Sequence, residues 1–375
     1  MGKSPDAVEL TRDMIRFNTI NPPGNERPLA EFLGRLLEDA GFAVAYHEFA
    51  LGRASLVARA GRGDKPPLCL TGHIDTVPLG ARAWSMDPFA ADIEQGRLYG
   101  RGSSDMKSGV AAMVAAAVGL MPGLGDGPGV VLVITAGEET GCEGAYHLAG
   151  LDKALGQAGA VVVGEPTANY PFVGHKGALW LKARTEGVTA HGSMPERGVN
   201  AVYAAAKAIS KLEDFDFNVA RHPVLGGPTL NVGTVSGGMN INSVPDRAEI
   251  GIDIRTVPGQ DHAALGRGLS GYLGDGVAIE TLIDVAGVWT DPKDAWMQQV
   301  FAIMAAILGE PIETRTATYF TDASALTPAY GGPPTVILGP GRPELAHQTD
   351  EYCEVVRIEQ AAEAYRAIAL AWADA

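Results

Sequence analysis

Several ionisable side chains stand where apolar runs end. His73 and Asp75 lie two residues apart in Thr71-Gly72-His73-Ile74-Asp75-Thr76, directly after the apolar run 68–70. In an extended chain, residues i and i+2 point to the same side. An imidazole placed there can bind a metal while the nearby carboxylate orients it. Asp105 sits in Gly102-Ser103-Ser104-Asp105-Met106-Lys107, and Glu138 and Glu139 in Gly137-Glu138-Glu139-Thr140-Gly141. Glu165 sits in Gly164-Glu165-Pro166-Thr167, and His347 in Ala346-His347-Gln348-Thr349-Asp350-Glu351. Singly, each has an ordinary explanation: a solvated Asp75 in a strand-end turn, a helix-capping Asp105, a glutamate pair at a helix start, a surface His347. Together, two histidines and three carboxylates suit a pair of borderline divalent ions such as zinc. Paired ions need a shared ligand, which a carboxylate can supply, and a further carboxylate beside them can take a proton from water.

Such a set needs a scaffold that gathers distant strand ends. Runs 43–49, 55–60 and 68–71 are strand-like. Run 130–136 is continuously β-branched, as in a strand covered on both faces, and 160–163 repeats the pattern. Ser4 is placed to cap a first helix with Pro5 at its first position. Leu29, Phe32, Leu33, Leu36 and Leu37 mark a second helix ended by Gly41. Residues 107–121 read as a buried helix. Alternation of strands and helices predicts a mostly parallel sheet, whose ligands belong outside the carboxyl ends of its strands.

The pattern changes near Lys176. Residues 179–184 alternate, as an antiparallel strand with one wet face does. A helix follows with Val199, Val202, Ala206, Ile209 and Leu212 on one stripe. Strands at 229–235 and 248–255, a helix at 262–273 and a strand at 277–283 complete a compact α+β segment. After about residue 286 the first pattern resumes with a helix at 296–308, a strand at 335–338 and a helix at 356–372. The fold class is therefore α/β: a mostly parallel-sheet domain over 1–175 and 286–375, with an inserted α+β domain over 176–285.

The chain of 375 residues is 46% apolar and 19% charged, which fits a soluble globular protein with a large core. A net charge of −15 with no basic block argues against a nucleic-acid partner. Three widely spaced cysteines without C-x-x-C argue against a disulfide framework. No apolar h-region follows Met1-Gly2-Lys3, and the alanine-rich run 109–121 is too short for a membrane span. A cytoplasmic protein without a membrane partner is expected. Gly100-x-Gly102-x-x-Asp105 lacks the third glycine of a dinucleotide fingerprint. His147, His175, His222 and His262 are read as structural.

The stretches Gly72-His73-Ile74-Asp75-Thr76-Val77-Pro78, Tyr99-Gly100-Arg101-Gly102 through Asp105-Met106-Lys107, Gly137-Glu138-Glu139-Thr140-Gly141, Gly164-Glu165-Pro166-Thr167 and the tail around His347 together resemble the M20 metallopeptidase family. The resemblance covers nearly the whole chain. It implies a metal-dependent hydrolase of linear amides holding two divalent ions, zinc first, with cobalt or manganese as substitutes. Carried over by motif, His73 and Glu165 would hold one metal, Glu139 and His347 the other, and Asp105 would bridge. Asp75 would orient His73, and Glu138 would be the general base. The insert would be a lid and the contact of a homodimer. His191, Asn242 and Arg255 match residues that bind the oxyanion or the substrate carboxylate, with His191 reaching the partner's site.

From the residues alone, His191 is equally a loop histidine, Arg255 a strand-end partner of Asp253 or Asp246, and Asn242 a turn residue before Pro245. Gly137 stands where many members carry an Asp, and Ser103 and Ser104 where small apolar residues are commoner. Leu338-Gly339-Pro340-Gly341 and Thr321-Asp322-Ala323 look most like the acetylornithine deacetylase branch. Removal of the acyl group from an N-acyl-L-amino acid is therefore expected. The alternatives are a succinyl-diaminopimelate desuccinylase, a general aminoacylase, a dipeptidase or carboxypeptidase, and, last, a non-catalytic binding protein.

Overall fold

The computed structural model describes residues 4–61, 63–124 and 127–374. The expectation about Met1, Gly2 and Lys3 lies outside the described residues. The chain divides into two compact units, one of Met1–Gly174, Val288–Thr316 and Thr321–Ala375, the other of His175–Gly287 and Ala317–Phe320.

The first unit is built on a nine-stranded mixed sheet. Its first six strands in spatial order are Ala43–Ala50, Arg53–Ala60, Val130–Thr135, Leu68–His73, Ala160–Val163 and Thr335–Ile337. Leu68–His73 runs parallel to both neighbours, and Thr335–Ile337 runs parallel to Ala160–Val163. The two margin strands are antiparallel. The four central strands are buried along their whole length, which is why their sequences run apolar without alternation. Register aligns His73 with Thr135, Thr71 with Val163, and Ile337 with Val163. The carboxyl ends of these strands are therefore level, and the loops that follow them share one rim.

Helix Lys107–Leu124 packs into the same core, with Met106, Val110, Met113 and Val114 against Leu68, Leu70 and Val162. A Cβ at Gly109 would lie 2.3 Å from the carbonyl oxygen of Gly164. Only a glycine lets the helix approach the Glu165 loop so closely. The first helix is Ala7–Ile15 and its cap is Asp6, whose carboxylate accepts from Val8 and Glu9 N–H. Ser4 does not cap it, because its hydroxyl donates to the carbonyl of Ala115 instead. Helices Glu143–Gly150 and Ala323–Ala329 and the small sheet of Ile93–Glu94, Arg97–Tyr99 and Tyr352–Glu354 were not expected from sequence. Each is too short to establish a period.

The second unit is a four-stranded antiparallel sheet ordered Thr229–Gly237, Arg247–Thr256, Gly177–Glu186, Val277–Val285. Leu179, Leu181, Ala183, Ile250, Ile252 and Ile254 alternate onto one face and meet Leu265, Leu269 and Leu273 of helix His262–Leu273. Each fully buried leucine or isoleucine there contributes on the order of 1.5–3 kcal/mol. Helix Ala201–Glu213 buries Ala201, Ala205, Ala208 and Leu212. This corrects the expected stripe: Ala206 is exposed and Val199 lies before the helix, also exposed. The small alanine side chains bring the helix close to the sheet, and Val202 and Ile209 are only partly buried. Among the described residues, no helix is long and apolar enough to cross a membrane.

Candidate metal centre

Four segments at the level strand ends, joined by the 100–106 loop that follows strand Arg97–Tyr99 of the small sheet and carries Asp105, supply one cluster of ionisable groups, all within the first unit. His73 ends its strand and is almost fully buried. Its Nδ1 is 3.0 Å from the backbone oxygen of Asp75. A carbonyl can only accept, so Nδ1 carries the proton and Nε2 turns toward the carboxylates. From Nε2, Asp105 Oδ1 is 3.2 Å away, Glu165 Oε1 3.7 Å and Glu138 Oε2 4.0 Å. The other oxygen of Asp105 faces the second histidine, with Oδ2 3.5 Å from His347 Nε2. His347 Nε2 also lies 3.0 Å from Glu139 Oε2. Potential ligand atoms fall into two overlapping groups, His73 with Asp105 and Glu139, and His73 with Glu138 and Glu165.

Asp75 is wholly buried, and its carboxylate does something the spacing did not reveal. It stands 3.5 Å from His73 Nδ1, too far for a good hydrogen bond. It accepts instead from the backbone N–H of Gly137 (2.8 Å), Glu138 (3.1 Å) and Glu139 (3.2 Å), and from Asn21 Nδ2 (2.9 Å). The sharp start of this loop explains Gly137, whose φ of +78° suits glycine. Asp75 thus gathers the loop that carries the two glutamates, and its main chain meets His73.

Electrostatics follow from burying many carboxylates beside two imidazoles. Burial pushes Glu165 up to about 8, against the opposing pull of His73 and with help from Asp105. Burial, then the neighbouring Glu165, raises Glu138 well above the carboxylate range, and burial with Asp105 raises Glu139. Burial works against charge on His73, but Glu165, Asp105 and Asp75 outweigh it and raise its pKa. Hydrogen bonds to Asp105 and Glu139 lift His347 to about 10. Burial opposes ionisation of Asp105, yet the two histidines hold it below the usual carboxylate range. Desolvated anions at this density require compensating cations.

These residues fit divalent metal ions. The donors are the imidazole nitrogens and carboxylate oxygens such ions take, and Glu139 Oε1 is buried with no hydrogen-bond partner. Sequence reasoning missed two further contributors. Asn21, which reaches Asp75, also donates to Thr140 Oγ1. Asp322 starts helix Ala323–Ala329, receives the hydroxyl of Thr135, and is pushed by burial up to about 6. In sequence Thr321-Asp322-Ala323 reads only as a branch marker, and Asn21, in Asn21-Pro22-Pro23-Gly24, reads only as a turn residue.

His191, Asn242 and Arg255 lie in the second unit. His191 is exposed, with Nδ1 2.7 Å from Ser193 Oγ. Asn242 is its neighbour: Gly192 N–H donates to the Asn242 carbonyl at 2.7 Å, and His191 bridges to Ser243. Arg255 Nε pairs with Asp253 Oδ1 at 3.0 Å.

Comparison with known proteins gives the family. The model of peptidase family M20/M25/M40 matches residues 69–371. The chain belongs to that family. It is a metal-dependent hydrolase of mixed α/β fold with a large, mostly parallel central sheet. Acetylornithine deacetylase of Proteus mirabilis is 31% identical, covering 95% of this chain and 94% of that protein. A probable succinyl-diaminopimelate desuccinylase of Staphylococcus epidermidis is 28% identical, covering 92% and 93%. Among solved structures, an M20 family metallo-carboxypeptidase from Sulfolobus solfataricus shares the fold with a TM-score of 0.83 at 19% identity, over 99% of this chain and 100% of that one.

Proposed function

We propose that the protein is a dimetal amidohydrolase that removes the acyl group from an N-acyl-L-amino acid, N-acetylornithine first. The observation that carries this reading is the placement of Asp105, one oxygen toward His73 and the other toward His347. A carboxylate so placed suits a bridge between two ions. His73 and Glu165 would hold one ion, and Glu139 and His347 the other. Imidazole and carboxylate donors favour zinc, with cobalt or manganese as substitutes. Bound ions supply positive charge that polarises the amide carbonyl and acidifies water. Glu139 faces His347, and Glu138 lies beside His73 and Glu165, where it can move a proton to and from water. Burial, then the neighbouring Glu165, raises the pKa of Glu138, which makes its carboxylate a stronger base. Glu138 takes the proton from the attacking water and returns it to the departing amine. The name of the Proteus mirabilis relative supports the substrate class.

Residues 176–285 serve in this reading as a lid and as the contact of a cytoplasmic homodimer. Strand Thr229–Gly237 is an open sheet edge, and Val235, Met239 and Ile241 expose apolar side chains on or just beyond it. Exposed apolar edges invite pairing. His191, Asn242 and Arg255 bind the oxyanion or the substrate carboxylate on closure, so that binding energy is used in the transition state.

The test is a panel of N-acetylornithine, N-succinyl-diaminopimelate, other N-acyl amino acids and dipeptides, with release of the free amine measured on metal-loaded protein. Highest kcat/KM on N-acetylornithine is expected. The name of the Staphylococcus epidermidis relative favours a second reading, which preference for the succinyl compound would support. No turnover of any N-acyl amino acid would contradict both.

A further inference from the structure

A second buried carboxylate gathers backbone amides as Asp75 does. Glu351 is fully buried, and Arg101 beside it is 1% exposed. Glu351 Oε1 accepts from the backbone N–H of Ser104 (2.7 Å) and Asp105 (2.9 Å). Its Oε2 accepts from Gly102 N–H (3.1 Å) and Arg101 Nη1 (2.6 Å). Arg101 is itself held: Nη2 donates to the Pro78 carbonyl at 3.1 Å, and the guanidinium lies over the Trp84 ring. Amides converging on one anion form a concavity, and bonds to a charged acceptor are the strong ones. Asp105 contributes its own N–H to this clamp, so the clamp acts one residue's backbone away from the carboxylate that faces both histidines. Glu351 also lies four residues after His347, and its carbonyl accepts from Gly100 N–H at 3.0 Å. One side chain therefore ties the 100–105 loop to the tail that carries His347.

We propose that Glu351, neutralised by Arg101, is the positioning residue that sets Asp105 and His347 at the spacing a metal pair needs. The proposal rests on the reading of Asp105 as a metal ligand. Glutamine at 351 has the same shape, but its NH2 would face two donors whichever way the amide turned. The Asp105 loop would then move although no ligand had been removed. Loss of a partner that orients a ligand typically costs about 10–100-fold in metal affinity.

The experiment measures zinc affinity of metal-free protein by competition with a chelator, for wild type, Glu351→Gln, Glu351→Asp, Asp105→Asn and Leu37→Ala. Leu37 is a fully buried core residue of helix Arg27–Asp39, so its truncation reports general destabilisation. Glu351→Gln is expected to bind zinc about 10–100-fold more weakly, and Leu37→Ala as wild type does. Should Glu351→Gln not fold, Glu351→Asp decides. It keeps the charge but withdraws the oxygens by one methylene, and weakening of about tenfold is expected. Wild-type affinity in the deciding Glu351 variant overturns the proposal, as does equal weakening by Leu37→Ala. If Asp105→Asn weakens zinc and the Glu351 variant does not, the clamp alone is wrong. If Asp105→Asn also binds as wild type, the ligand reading fails too.

Discussion

Replacing Asp75 with asparagine tests whether one buried carboxylate holds the Glu138–Glu139 loop. Its Oδ1 accepts from Gly137 and Glu138 N–H, and its Oδ2 from Glu139 N–H and Asn21 Nδ2. Asparagine has the same outline, but one oxygen becomes an NH2 group. Either orientation leaves two of those donors facing a donor. Hydrogen bonds to a charged group are worth about 1.5–3 kcal/mol each, so a loop that stayed in place would lose about 3–6 kcal/mol. Movement of the loop lowers that cost, but a displacement of about 1 Å costs roughly 100-fold in rate. His73 keeps its partner, because its Nδ1 bonds the Asp75 backbone oxygen, which the substitution retains. Urea unfolding of the metal-free variant is expected to show a loss of at least about 2 kcal/mol. On the metal-loaded variant, kcat should fall about 100-fold while KM changes little. An unfolding free energy within about 0.5 kcal/mol of wild type, the range of an ordinary surface change, together with full kcat, would refute the reasoning.

Three further outcomes are expected. Glu138→Ala should retain both metal ions and lose several orders of magnitude in kcat, whereas Glu139→Ala should lose metal; elemental analysis with kinetics checks both, and the reverse pattern exchanges the roles. Metal-free protein should melt at lower temperature as pH rises from about 5 to about 9. The reason is that folded Glu165 and His347 titrate near 8 and 10, against ordinary values of 4.5 and 6.5. Groups with raised pKa stabilise fully below the unfolded value and lose that contribution as pH passes the folded one. Excess zinc should flatten the trend in a thermal melt, and a melting temperature that rises with pH in chelator would contradict it. Finally, His191→Ala and Glu138→Ala proteins, each inactive, should regain activity when unfolded and refolded together; mixed dimers without activity would place His191 in its own chain's site or outside catalysis.

Much of the centre was legible because strand ends announce themselves. The continuous run ending at Thr135 and the run ending at Val163 have one plausible conformation, and the polar residues just beyond them share a rim once the strands are parallel. The role of Asp75 was not legible in the same way. A spacing of two shows which side the carboxylate takes but not which amides converge on it. Asn21, Asp322 and Glu351 reach the centre through tertiary contacts that no local pattern announces. Two local misreadings have simple causes. Ser4 and Asp6 are both good caps, and only the packing of Ser4 against Ala115 separates them. In Ala201–Glu213, hydrophobicity favoured the larger side chains, whereas close helix–sheet approach selected alanines.

The proposed hydrolase needs two metal ions at its centre. Titrating zinc into metal-free protein while following hydrolysis of N-acetylornithine tests it most directly. Expected are negligible activity without metal, a rise to a plateau at about two equivalents per chain, as paired-metal hydrolases require, and loss of that stoichiometry in Glu139→Ala. Full activity without metal, or a plateau at one equivalent that Glu139→Ala and His347→Ala leave unchanged, would contradict it.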